Sequence, residues 1–256
     1  MLKSRLFVLL LALALAPALA GAAGKVEILD APIDVHDRAS LQRGAGLYMN
    51  FCAACHSLQF MRYSRLGEDL GLTVEQVEQL IIKGDAKIGD PMITGMAEAD
   101  GTAWFSKAPP DLSTTVRGKK GQEDWVYTFL RSFYVDESRP MGWNNTVLAG
   151  ASMPNVLWEL QGIQRATFEP VGEDGCAIAR VGDNCIASFV VQPHEAGRLS
   201  PAEFDRAILD LTAFLTYVAE PARLQRETLG VWVILFLSFF TLLAWLLKRE
   251  YWRDIH

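Results

Sequence analysis

The residues of this chain with the clearest chemistry are Cys52-Ala53-Ala54-Cys55-His56, a Cys-x-x-Cys-His sequence. Two thiols one helical turn apart can each form a thioether bond with a vinyl group of haem, and the adjacent histidine can then coordinate the iron. The spacing therefore predicts one covalently attached haem c, with Cys52 and Cys55 as attachment points and His56 as an axial ligand. A haem held in this way indicates a protein that carries electrons.

Two other kinds of site use the Cys-x-x-Cys spacing, namely a thiol-disulfide redox pair and half of a zinc site. A zinc site needs a second pair of ligands at similar spacing, whereas Cys176 and Cys185 are far wider apart. A redox pair follows a strand and opens a helix, whereas residues 41–51 predict a helix that runs into the motif. The context favours haem, and a tethered thiol-disulfide oxidoreductase is the remote alternative.

The haem iron needs a sixth ligand, for which the chain offers one histidine and several methionines. His36 and His256 lie near the ends of the chain, which leaves His194 as the histidine alternative. Met153 lies within residues 150–155, Gly-Ala-Ser-Met-Pro-Asn, where small residues and a proline predict an irregular loop that can present a thioether. Met92, Met96 and Met141 are further candidates, and spacing and loop character favour Met153 over Met96 and Met141.

Both ends of the chain carry membrane signals. Residues 1–23 have the basic, apolar and small-residue order of a secretory signal peptide, with cleavage expected after Ala20 or shortly beyond. Residues 229–247 are uncharged and long enough to cross a bilayer, and the basic residues that follow place 248–256 in the cytoplasm. The sequence thus predicts a single-pass protein of a bacterial plasma membrane, with residues 24–228 forming a periplasmic domain. An uncleaved N-terminal anchor and a buried C-terminal core helix are the alternatives.

The charge balance of the chain bears on its partners. The sequence has 24 Lys and Arg against 30 Asp and Glu, a net charge of −6. Such an acidic chain does not suit nucleic acid, which binds basic surfaces. An acidic exported domain would attract a basic protein partner, or would simply aid solubility.

Two helices are predicted to position the haem. Residues 41–51 place Gly44, Tyr48 and Cys52 on one helix face, and the glycine suits close packing of another helix. Ser200-Pro201-Ala202-Glu203 combines an N-cap, a first-turn proline and a capping box, and an apolar face follows.

Crossed N- and C-terminal helices resemble those of class I c-type cytochromes. The predicted fold is mainly α, a class I cytochrome c-like haem domain with loop insertions and one C-terminal transmembrane helix. Short helices are expected at 73–83 and 123–132.

Four blocks of this sequence match a known family. They are residues 43–57, residues 108–113 with 116–117 and 121–126, residues 153–154, and residues 211–215 with 219–221. Through them the chain resembles the cytochrome c1 family over essentially its whole mature length. The Pro-Pro-Asp-Leu-Ser sequence at 109–113 and the tethering C-terminal helix discriminate better than the haem motif. The resemblance implies that Met153 is the sixth ligand.

The resemblance also implies a function and partners. Members of this family are the haem subunits of ubiquinol–cytochrome c reductase, the cytochrome bc1 complex. The chain would act as an enzyme subunit, being by itself an electron carrier within a dimeric complex. It would accept one electron from the Rieske iron–sulfur protein and pass it to a soluble or membrane-bound cytochrome c, while cytochrome b supplies the quinol sites. The alternative is a membrane-anchored cytochrome c carrier or an oxidase-associated haem subunit, a class that lacks the Pro-Pro-Asp-Leu-Ser block.

The family further implies contacts to the haem propionates from Arg117, Lys119 and Trp125. Relatives commonly have arginine in place of Lys119 and tyrosine in place of Trp125. Lysine is a point charge rather than a bidentate fork, and an indole can donate a hydrogen bond but not accept one. Ordinary surface charge on a loop is the alternative interpretation.

Cys176 and Cys185 are a second departure from the family pattern. They flank residues 177–184, in which Gly182-Asp183 indicates a turn. An exported protein permits disulfides, so this pattern predicts a hairpin closed by a structural disulfide. A loop of that size gains roughly 2–3 kcal/mol in the chain-entropy treatment. Free, inert thiols are the alternative.

Overall fold

The computed structural model describes residues 26–172, 175–176 and 178–253. The predicted signal peptide and the end of the predicted cytoplasmic tail lie outside these residues. The helices within them are α1 (Arg38–Phe51), α2 (Tyr63–Leu70), α3 (Val74–Leu80), α4 (Glu98–Phe105), α5 (Thr115–Gly118), α6 (Gln122–Arg131), α7 (Trp158–Gln161), α8 (Pro201–Ala219) and α9 (Arg223–Tyr251).

The strands form three small antiparallel sheets. They are β1 (Leu58–Arg62), β2 (Pro91–Met92), β3 (Phe133–Val135), β4 (Trp143–Asn145), β5 (Gly162–Pro170), β6 (Ala179–Val181) and β7 (Asn184–Ala196). β1 pairs with β2, β3 pairs with β4, and the third sheet has the order β5-β7-β6. The mainly α prediction is therefore confirmed, with the β structure of the described residues confined to two pairs of short strands and one three-stranded sheet.

Local capping signals determine where the two principal helices begin. α1 starts earlier than predicted because the Asp37 side chain accepts hydrogen bonds from the N–H groups of Ala39 and Ser40. α8 begins as predicted, with Ser200 and Glu203 forming a capping box and proline in the first turn. The short helices expected at 73–83 and 123–132 are α3 and α6.

The core is built where α1 crosses α8. Gly44 faces α8, and a Cβ at this position would lie 2.1 Å from the Asp210 carbonyl oxygen and 2.6 Å from the Phe214 Cβ. The Asp210 carboxylate accepts hydrogen bonds from Arg43 Nε at 2.6 Å and from Ser40 Oγ at 2.6 Å. The glycine sets the distance between the helices, and the carboxylate fixes their register.

The three-stranded sheet lies in a region that was expected to be mostly loop. β5 and β7 form a long antiparallel ladder whose outer side chains are largely exposed, so the sequence lacks the alternation that signals a strand. The β6–β7 hairpin turns at Gly182, where φ is +59°, and Asp183. Cys176 and Cys185 are joined by a disulfide, with their Cα atoms 5.1 Å apart. A separate small core forms under this sheet from Tyr134, Ala179 and Ile186.

The chain leaves α8 through a short connection into α9. Of the helices in the described part of the chain, α9 is the one that is long and apolar enough to cross a membrane. Its side chains are exposed along the apolar window, and Lys248 and Arg249 lie in its last turn. This exposure distinguishes α9 from a buried core helix and is consistent with a membrane-spanning segment.

The close approach of α1 and α8 at Gly44 yields a prediction about stability, with Gly46 as a matched control position. Gly44→Ala is expected to lower the free energy of unfolding by about 2 kcal/mol, because the added methyl group overlaps the α8 backbone. Gly46→Ala, in the same helix but with no atom within 4 Å of its new Cβ, is expected to raise it by about 0.5–1 kcal/mol. Urea titration of the full-length protein measures both, and equal effects at the two positions would contradict the close approach.

The β6–β7 hairpin yields a prediction about the disulfide bond between Cys176 and Cys185. A peptide map under non-reducing conditions, after alkylation of free thiols, is expected to contain linked peptides that carry Cys176 and Cys185. Reduction before digestion should separate them. Alkylated thiols at both positions would refute the pairing.

Candidate haem-binding site

The Cys-x-x-Cys-His segment forms one further turn at the end of α1. The Cys52 N–H donates to the Tyr48 carbonyl at 2.8 Å, and the His56 N–H donates to the Cys52 carbonyl at 2.9 Å. Cys52 is buried and Cys55 is half-buried, and both have free thiols. The two thiols therefore lie one helical turn apart, as thioether attachment to a single macrocycle requires.

The His56 ring is oriented by a backbone carbonyl. Its Nδ1 lies 2.7 Å from the Pro110 carbonyl oxygen, which can only accept, so Nδ1 must carry the proton. In the neutral ring Nε2 is then an unprotonated donor atom for a metal. Burial lowers the pKa of His56, which outweighs the opposing effect of the Pro110 hydrogen bond and favours the neutral form.

The Pro110 carbonyl is itself held in place by the residues that follow it. Asp111 Oδ2 accepts from the Gln59 N–H and Asp111 Oδ1 from the Ser113 N–H, both at 2.8 Å. Ser113 Oγ accepts from the Phe60 N–H at 3.1 Å, and the Leu112 N–H donates to the Ser57 carbonyl at 2.9 Å. The Pro-Pro-Asp-Leu-Ser block thus binds the start of β1, immediately after the haem motif.

Two side chains that the sequence reasoning did not assign also hold the motif. Tyr48 OH donates to the His56 carbonyl at 2.6 Å. Thr94 Oγ1 donates to the Ala54 carbonyl at 2.7 Å, and the Thr94 N–H donates to Ser57 Oγ at 2.9 Å. The sequence carried no signal for Thr94, because its contacts are about forty residues away.

The environment of the two thiols bears on the redox-pair alternative. Burial, together with the neighbouring Cys55, raises the pKa of Cys52 to about 12, and burial also raises the pKa of Cys55. A thiol-disulfide oxidoreductase needs an attacking thiol whose pKa is low enough to give a thiolate. The raised pKa values of Cys52 and Cys55 disfavour the thiolate form, which argues against a thiol-disulfide oxidoreductase.

Among the methionine candidates for the sixth ligand, Met96, Met141 and Met153 are all half-buried and lie outside helices and strands. Met92 is buried in the main core, and the Met96 sulfur lies 3.2 Å from where a Cβ on Gly101 would be. His194 is exposed on β7. Met153 is half-buried in an irregular loop after Gly150, whose φ is +76°. The loop prediction for Met153 agrees with this geometry, although no hydrogen bond in the described part of the chain joins that loop to the Cys-His segment.

The residues expected at the propionates are only partly brought together. Lys119 Nζ lies 4.4 Å from the centroid of the Trp125 ring, a cation–π contact. Trp125 stacks on Phe129 at a centroid distance of 5.0 Å. Arg117 is exposed. Lys119 and Trp125 thus form one unit, and no hydrogen bond, ion pair or ring contact among the described residues joins Arg117 to it.

These groups fit a covalently attached haem. Two unpaired thiols one turn apart and an imidazole with an unprotonated Nε2 are the groups that would attach the haem and bind one side of its iron.

Comparison with known proteins agrees with the site. The model of the Cytochrome C1 family matches residues 29–167 and 197–255. The chain is 47% identical over 245 residues to cytochrome c1 of Allochromatium vinosum, covering 95% of this chain and 96% of that protein. It is 40% identical over 249 residues to the ammonia monooxygenase gamma subunit of Nitrosomonas europaea, covering 97% of each. It is 28% identical over 241 residues to the mitochondrial cytochrome c1 heme protein of Schizosaccharomyces pombe, covering 86% of this chain and 68% of that protein.

The region between the two matched segments is structurally distinct. Residues 168–196, which the family model does not match, contain the disulfide and most of the three-stranded sheet. The haem motif, the loop at 109–113, the Met153 loop and α9 all lie within the matched segments. The chain belongs to the cytochrome c1 family, whose members carry one covalently bound c-type haem.

Proposed function

We propose that this chain is the electron-transfer subunit of a quinol–cytochrome c reductase, accepting one electron from a Rieske iron–sulfur protein and passing it to a cytochrome c. The observation that carries the proposal is the His56 imidazole, whose Nδ1 is bound by the Pro110 carbonyl beside two free thiols. Membership of the cytochrome c1 family places this site in the context of the cytochrome bc1 complex.

A fused relative supports association with cytochrome b. The chain is 27% identical over 251 residues to "Cytochrome b/c1" of Bradyrhizobium diazoefficiens, covering 88% of this chain but 34% of that protein. Its name joins the two cytochromes in one polypeptide. We infer that cytochrome b is a partner of this chain as a separate subunit.

The residues of the site have distinct roles in this proposal. Cys52 and Cys55 attach the haem, and His56 Nε2 and the Met153 sulfur bind the iron. When bound, the haem supplies a centre that gains and loses one electron. The Pro110 carbonyl orients the imidazole and holds the proton on Nδ1, burial favours the neutral ring, and histidine–methionine coordination with low solvent access would raise the reduction potential.

Lys119, Trp125 and Arg117 are proposed to face the haem propionates. The Lys119 ammonium is held over the Trp125 ring and supplies a localised positive charge. The Trp125 indole N–H can donate to a carboxylate, and the exposed Arg117 is free to approach from solvent. These groups would neutralise the propionate charge.

The proposed membrane arrangement rests on the signal-peptide pattern of residues 1–23 and on the apolar helix α9 with its basic last turn. We propose that residues 1–23 direct export, that 24–228 form a periplasmic domain, and that α9 crosses the plasma membrane through 229–247. Lys248 and Arg249 at the end of α9 support a cytoplasmic location for 248–256.

Purification from native membranes in mild detergent tests the proposed function. The expected result is a complex that contains a cytochrome b and a Rieske subunit, shows haem c absorbance and reduces cytochrome c with quinol. Removal of the C-terminal anchor is the control that should release the haem domain. A haem protein that purifies alone, or with an oxidase, would support the carrier alternative instead.

The sixth ligand yields its own prediction. Met153→Leu is expected to leave the haem covalently attached but to lower its midpoint potential and stop quinol-dependent turnover, because the thioether that stabilises ferrous iron is removed. Met96→Leu is the matched control and should retain the potential. Redox titration measures both, and an unchanged midpoint potential in Met153→Leu would refute the assignment.

A further inference from the structure

The loop that carries Met153 is fastened on its N-terminal side by two buried asparagines. Asn145 is fully buried, and its Oδ1 accepts from the N–H groups of Val147 at 2.9 Å and Leu148 at 3.1 Å. Asn144 Oδ1 accepts from the Gly150 N–H at 2.8 Å. These amides fix the chain up to three residues before Met153.

A third buried asparagine fastens the C-terminal side. Asn155 is 2% exposed, and its Oδ1 accepts from the Leu157 N–H at 3.0 Å. Its Nδ2 donates to Gln161 Oε1 at 2.9 Å. Because Asn155 is only two residues from Met153, its position limits where the Met153 side chain can lie.

Both sides of the loop are anchored at the same end of α6. Asn145 Nδ2 donates to the Phe129 carbonyl at 2.8 Å, and Gln161 Nε2 donates to the Arg131 carbonyl at 3.0 Å. The last carbonyl groups of a helix have no partner within the helix and therefore accept such bonds readily. Asn145 and Gln161 therefore share this helix end as their anchor, and Gln164 Nε2 also donates to the Arg131 carbonyl at 3.3 Å.

α6 is in turn attached to the helix pair that carries the haem motif. Tyr127 of α6 donates to the Asp205 carboxylate of α8, and Arg131 Nη1 lies 2.6 Å from Asp205 Oδ1. α8 crosses α1, which ends at Phe51 and leads into Cys52 and His56. A continuous set of contacts therefore connects the His56 side of the site with the loop of Met153.

We infer that Asn145 and Asn155 are positioning residues that hold the Met153 thioether at the haem iron, an inference that rests on the proposed role of Met153. Buried amides of this kind specify one arrangement, because leaving any of their groups unpaired costs free energy, whereas an apolar side chain would only fill the space. They act through the loop and do not touch the iron.

Asn155→Asp tests the hydrogen bond that Asn155 Nδ2 donates to Gln161 Oε1. The carboxylate retains an acceptor for the Leu157 N–H but places an oxygen against Gln161 Oε1. Gln161 cannot simply turn over its amide, because Nε2 would then leave the Arg131 carbonyl and an oxygen would face it. The loop is therefore expected to release Met153 more often.

The measurement is competition by imidazole for the sixth coordination position in the haem-loaded, full-length protein. The apparent affinity of the ferric haem for added imidazole is expected to rise on the order of tenfold in Asn155→Asp. The absorption band of methionine-bound ferric haem should weaken in parallel. Asn145→Asp, which loses its donor to the Phe129 carbonyl, should act in the same direction. Asn184→Asp, the same change at an exposed hairpin position, is the control and should match the unaltered protein.

The outcomes separate this inference from the proposed function. If Met153→Leu strengthens imidazole binding while both asparagine variants bind imidazole as the control does, the positioning role is wrong and the ligand assignment stands. If Met153→Leu itself leaves imidazole binding unchanged, the ligand assignment fails. Should Asn155→Asp not accumulate, Asn155→Ser, whose hydroxyl is too short to reach Gln161, replaces it with the same expected direction. Lower thermal stability without any change in imidazole affinity would also overturn the inference.

Discussion

The hydrogen bond between His56 Nδ1 and the Pro110 carbonyl is the constraint on which the rest of the site depends. An imidazole serves as an iron ligand only when one nitrogen is unprotonated and the ring is held in a fixed plane. This bond fixes the ring and places the proton on Nδ1, while burial favours the neutral form. The carbonyl is more than fifty residues away in sequence, so its position must be fixed independently. Asp111 and Ser113 do this by accepting hydrogen bonds from backbone N–H groups of the β1 segment.

The orientation of the motif also depends on the packing of α1. Cys52 and His56 follow directly from this helix, so any tilt of α1 against α8 would move them relative to the Pro110 carbonyl. Gly44 allows the helix backbones to approach, and Asp210 prevents sliding because Ser40 and Arg43 both bind its carboxylate. A covalent attachment site on a helix end therefore requires a rigid helix crossing behind it.

The sequence predicted the features that depend on neighbouring residues and missed those that depend on distant ones. The Ser200 cap, the Cys-x-x-Cys-His spacing and the apolar length of α9 are local patterns with local physical causes. The bond from Thr94 to the Ala54 carbonyl joins positions forty residues apart, and a threonine in a loop has no distinguishing pattern. The β6–β7 hairpin was predicted from its turn at Gly182 and Asp183, but β5 and most of β7 were missed because most of their side chains are solvent-exposed, which removes the apolar alternation.

The three-stranded sheet, most of which lies outside the segments that the family model matches, is packed apart from the core around the haem motif. Its core of Tyr134, Ala179 and Ile186 is separate from the core around α1 and α8. β3 divides the two, since successive side chains of a strand point to opposite faces. The Phe133 ring contacts Phe129 of α6, whereas Tyr134 packs under the sheet. The sheet nevertheless meets the Met153 loop directly, because Gln161, which accepts from Asn155, precedes β5 and its Nε2 donates to Gln164 Oε1 of β5 at 3.3 Å. Changes at Gln164 are therefore the ones in the sheet that can reach this loop through a hydrogen bond.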